Sequence, residues 1–148
     1  MKTIFHAAFG ILSFGLILSS LMASLIVEIW NSQAAIADVK ELVFQAVLFV
    51  LVLLCFTTLL GLSLGKMRQG NIVQAKKKRV AWLFAIAIFV LLPIAYVLNE
   101  YTKQGQFNWL YIILQSIEYV FDIIFLILLG LNIRDGSALV RQSQGRFR

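Results

Sequence analysis

Two carboxylic acids, Glu118 and Asp122, lie in the middle of an otherwise apolar run, one helical turn apart, with Gln115 and Tyr111 on the turns before them. At about 100° per residue on a helix, the four fall within roughly 60° of arc and form one stripe. Paired carboxyls in hydrocarbon suit three kinds of chemistry. They can be neutral acids that hydrogen-bond neighbouring helices, ligands for a cation or hydrated proton in a polar cavity, or partners for a Lys, Arg or His of another subunit. An ionised carboxylate at the centre of a bilayer costs at least ~2.5 kcal/mol, so two on one face demand a reason. A second stripe, His6, Gly10, Ser13, Ile17, Ser20 and Ser24, spans about 80° of arc on an early helix. Its small and hydroxylated residues favour close helix packing. His6 is the single histidine, an interfacial residue with a possible titrating role.

The elements that must position these residues follow from composition. The chain has 148 residues, 61% hydrophobic and 14% charged, against roughly 45–50% and 25% in soluble domains. A chain of this size cannot hide that apolar excess inside a water-soluble fold. Soluble enzymes, nucleic-acid-binding domains and disordered proteins are excluded together. Four apolar blocks, about 4–27, 42–64, 80–98 and 109–131, each approach the ~20 residues a helix needs to cross a bilayer. The expected fold is all-α: four transmembrane helices in one antiparallel up-down bundle, followed by a basic, mobile tail over 132–148. The first block is too long for a signal-peptide core and reads as an uncleaved helix.

Orientation follows from charge. With the N-terminus inside, Lys2, Lys66, Arg68, Lys76, Lys77, Lys78, Arg79, Arg134, Arg141, Arg146 and Arg148 are cytoplasmic, and only Lys40 and Lys103 are outside. Both termini are therefore expected in the cytoplasm, and the setting is a plasma membrane, in the first place a bacterial inner membrane. Lys76, Lys77, Lys78 and Arg79 abut the third helix where anionic lipid headgroups lie. Trp30, Tyr101 and Trp109 suit the outer interface. Because Lys40 falls in a loop by this division, no basic residue of the chain is expected at the depth of the acids. Closing the bundle makes the first and last helices neighbours. Matching their midpoints sets Ser13 level with Asp122, and Ser20 with Gln115. Pro93 is expected to kink the third helix and free a carbonyl for the same polar layer.

No nucleophile, metal-ligand set or cofactor motif accompanies the acids, so an enzyme, a metal site and a cofactor are not expected. Cys55 is the single cysteine, which leaves no intrachain disulfide. Two readings compete. One is a non-catalytic membrane subunit whose acidic stripe docks on a partner protein or a second copy. The other is a small proton- or cation-coupled transporter or channel working as a homo-oligomer.

Overall fold

The computed structural model describes residues 2–30, 32–65 and 71–145, with side chains for 5–30, 32–61 and 74–138. Of the basic residues used for orientation, Lys2, Lys66, Arg68, Arg141, Arg146 and Arg148 lie outside the described side chains. The described chain is all helical: α1 (Lys2–Trp30), α2 (Gln33–Gly65), α3 (Asn71–Ile86), a π-helical turn (Ala87–Leu91), α4 (Leu92–Lys103) and α5 (Trp109–Gly145). α3, the π turn and α4 run on as one rod, so four helical spans, within 5–30, 33–61, 74–103 and 109–138, are long and apolar enough to cross a membrane.

Sequence chemistry fixes the ends and the irregular turn. α5 starts where Asn108 Oδ1 accepts the Tyr111 amide at 3.0 Å, a side-chain N-cap. α4 ends at Gly105, whose φ of +66° sets up paired bonds from the Gly105 amide to the Thr102 carbonyl and from the Gln106 amide to the Tyr101 carbonyl. In the π turn the Leu92 amide reaches back five residues to the Ala87 carbonyl. Pro93 follows at once, and the widened turn relieves the clash its ring would make with the carbonyl four residues earlier. That carbonyl belongs to Phe89, which is 78% exposed, and Pro93 is exposed as well. The freed group therefore lies on the outer surface and does not join the interior layer expected from the sequence.

Two further expectations are corrected. α2 begins at Gln33, nine residues before the apolar block at 42, and carries Asp38, Lys40 and Glu41 within the helix. The basic tail is helical as far as Gly145, because α5 continues through it. At the start of α2, Ile36 is buried in an apolar cluster, and the alanines around it supply helix propensity.

α1 lies against α2 and α5, and the α3–α4 rod lies against the same two, which leaves α1 diagonal to the rod and α2 diagonal to α5. Contacts join opposite ends of adjacent helices. Phe9 stacks near Phe56, Phe44 near Tyr96, and Gly130 abuts Phe14. Buried positions recur at alternating steps of three and four: Ile36, Lys40, Val43, Val47, Val50 and Leu54 on α2, and Tyr111, Gln115, Glu118, Asp122, Phe125 and Leu129 on α5. That spacing is the seam of helices packed side by side. The outward faces carry Phe89, Trp82, Leu59 and Ile112, all more than half exposed, as contact with lipid requires.

Candidate functional site

Two apolar clusters divide the interior. One, around Ile17, Val47, Leu91, Phe125 and Leu129, fills most of the bundle; the other, Val27, Ile36, Leu98 and Tyr111, caps the end that bears Trp30 and Trp109. Between them on each chain path fall Ser24, Lys40, Gln115, Glu118 and Asp122, every one buried. This polar layer is the candidate site.

Its centre is an ion pair. Lys40 Nζ lies 2.6 Å from Glu118 Oε2, with the two side chains 0% and 2% exposed. The ammonium also donates to Ser24 Oγ at 3.3 Å and lies 5.8 Å from the Tyr119 ring centroid, within cation–π range. Gln115 Nε2 donates to the same Glu118 oxygen at 3.0 Å. Because α2 and α5 are diagonal neighbours, Lys40 spans the middle of the bundle to reach Glu118, and its long stem makes this possible. The chain therefore supplies its own counter-charge, contrary to the expectation that no basic residue meets the acids.

Lys40 is the functional residue that sequence reasoning missed. Its signal was present: Lys40 falls in phase with Ile36, Val43 and Val47 on the buried stripe of α2. Glu28 and Tyr119 were missed as well. Tyr111 Oη donates to Glu28 Oε1, and Glu28, Tyr111, Gln115 and Tyr119 line a groove of about 350 Å³ between α1 and α5.

The layer holds two carboxyls against one ammonium. Lys40 answers Glu118, and Asp122, one turn on and 4% exposed, adds a second carboxyl with no hydrogen-bond partner among the described residues. Among the described residues four buried side-chain oxygens lack a partner: Glu118 Oε1, Gln115 Oε1 and Tyr119 Oη, all on α5, and Asn99 Oδ1 on α4. Buried acceptors left in this state are rare and costly.

The first-helix stripe sits in a different register from the expected one. Gly10 abuts Ile133, Phe14 abuts Gly130 and Glu28 meets Tyr111, so Ser13 is level with residues near 130, about two turns from Asp122. Ser13 is buried but donates to the Phe9 carbonyl of its own helix, and Ser20 is half-buried. Ser24, not Ser20, meets the layer. His6 lies at the opposite end, where its Nδ1 donates to the Thr57 carbonyl at 2.9 Å, away from the acids.

The basic run divides by helix face. Lys77 and Lys78 are exposed, whereas Lys76 and Arg79 are half-buried against α5. Arg79 is held by Asp135 at 2.6 Å and Asn132 at 3.2 Å, which leaves Lys77 and Lys78 as the pair free to meet headgroups.

No protein-family model, curated protein or solved structure matches this chain. Glu118 and Asp122 are 2% and 4% exposed in the single chain.

Proposed function

We propose that the protein is a small proton- or cation-coupled transporter or channel, working as a homo-oligomer in a plasma membrane such as the bacterial inner membrane. The four spans cross as an up-down bundle with both termini cytoplasmic. Support for this orientation is the basic set, from which Lys40 now drops out of the outer loops and leaves Lys103 there. Exposed Lys77 and Lys78 meet anionic headgroups on the inner side. A single cysteine introduced as Lys77→Cys in a Cys55→Ser background is labelled only from the cytoplasmic side; labelling from outside intact cells refutes the orientation.

One observation carries the functional reading: two carboxyls and one ammonium share a sealed interior layer, leaving one negative charge to be neutralised. At that depth a carboxyl is stable as a neutral acid or beside a cation, and not as a bare charge. Exchange between the two states releases one proton for each monovalent cation taken up, which is the elementary step of coupled transport. Asp122 is the exchanging group, and the Lys40–Glu118 pair is the fixed frame beside it.

The test is proton flux in liposomes containing the purified protein. The parent dissipates an imposed pH gradient, and Asp122→Asn abolishes that flux while the protein elutes and folds as before. Equal flux from the amide variant, or none from the parent, defeats the reading.

A further inference from the structure

We propose that the inner end of the groove between α1 and α5 is a binding site for one small monovalent cation, held by Glu118 Oε1, Gln115 Oε1 and Tyr119 Oη. The inference rests on reading the polar layer as the working site and names what that site takes. Its first observation is that three of the four buried oxygens without a partner lie together on α5. Gln115 is 5% exposed and Glu118 2%, so both side chains are more than nine-tenths buried.

The second observation is the groove itself. Gln115 and Tyr119 line it, and Glu118 stands directly behind Gln115, tied to it by the 3.0 Å bond from Nε2. That bond commits the amide nitrogen to Glu118 and turns the amide oxygen, an acceptor, to the remaining space. An uncharged carbonyl, a phenol oxygen and a carboxylate oxygen are hard donors, the type that binds alkali or ammonium-type cations. Glu28 stands at the mouth, half-buried, its carboxylate fixed by the Tyr111 hydroxyl, and supplies negative potential to an arriving cation.

Charge sets the valence. With Lys40 and Glu118 paired, Asp122 one turn on gives up its proton as the cation arrives, so a monovalent ion balances the layer and a divalent ion overfills it. Lys40 contacts the same carboxylate on Oε2, so an incoming cation on Oε1 and the ammonium share Glu118 without competing for one oxygen.

The experiment is equilibrium binding of radiolabelled sodium, rubidium and methylammonium to the full-length protein in nanodiscs, in an N-methylglucamine buffer. The expected result is saturable binding of at least one of these probes, close to one per chain. The three probes separate an alkali site from an ammonium site. Tyr119→Phe and Gln115→Leu each weaken that binding at least tenfold; Tyr119→Phe removes a single unpartnered hydroxyl and leaves the packing intact. No saturable binding to the parent overturns the proposal. So does unchanged binding to a folded Tyr119→Phe variant, since water then fills the space. Proton flux in liposomes driven by an imposed gradient of the cation that binds reports on the transport reading separately: saturable binding without flux leaves the site standing and defeats transport alone.

Discussion

Two ion pairs of the same 2.6 Å length sit near opposite ends of this bundle in opposite surroundings. Arg79–Asp135 is 18% and 13% exposed, shares its guanidinium with Asn132, and has Arg134 on its carboxylate at 3.3 Å. Lys40–Glu118 is buried, spans the diagonal of the bundle, and among the described residues has Ser24 and Gln115 as its other direct hydrogen-bond partners. The difference teaches that distance alone says little about what an ion pair does. In the first, water and alternative partners stand ready, so each member has somewhere to go. In the second, each member depends on the other, because removing one strands a charge in low dielectric.

Breaking the sealed pair has the largest expected effect. Lys40→Met destabilises the protein by about 3–5 kcal/mol, measured by reversible unfolding in mixed micelles of rising detergent denaturant. Lys40→Met combined with Glu118→Leu recovers most of that loss, because an apolar pair of similar volume needs no counter-charge. Should the double variant be as unstable as the single one, the pair is not the centre of the layer. Arg79→Gln, at the other end, costs only about 1 kcal/mol in the same assay, since its partners remain partly solvated. The smallest effect sharpens the comparison at the basic end. A Cβ at Gly61 falls 3.2 Å from His6 Cε1, so the ring must yield by a few tenths of an ångström. Gly61→Ala therefore stays within about 0.5 kcal/mol of the parent, the clash offset by better helix propensity. A larger loss shows that the His6–Thr57 contact is as rigid as the central layer.

How much of this was legible in the sequence depends on which signal each residue carries. Apolar runs disclosed the four spans, and the three-and-four spacing of Tyr111, Gln115, Glu118 and Asp122 disclosed a stripe that the structure turns inward. Lys40 was hidden because hydropathy starts the second helix at Leu42, which relegates a core residue to a loop. Reading the stripe of Val43, Val47 and Val50 backwards one turn would have reached it. The register of α1 on α5 was hidden for a different reason. Midpoints of apolar blocks ignore the caps and tails of helices, and α5 runs on to Gly145 with no apolar signal to mark it. The π turn is legible only as a consequence of Pro93, and its outward direction depends on a rotation no single helix specifies.

The diagonal reach of Lys40 also governs the order in which this protein can be made. Lys40 and Glu118 are 78 residues apart, roughly 4–16 s of synthesis at typical ribosome speeds. Throughout that interval the second helix exists with an ammonium that has only Ser24 for company, and its true partner has not yet left the ribosome. The nascent hairpin must wait at the interface, or lean on the insertion machinery, until the final helix arrives and locks it. Arrival of α5 and burial of the Lys40 charge are thus a single event, and a product truncated before Trp109 carries an unpaired ammonium as a visible flag for membrane quality control.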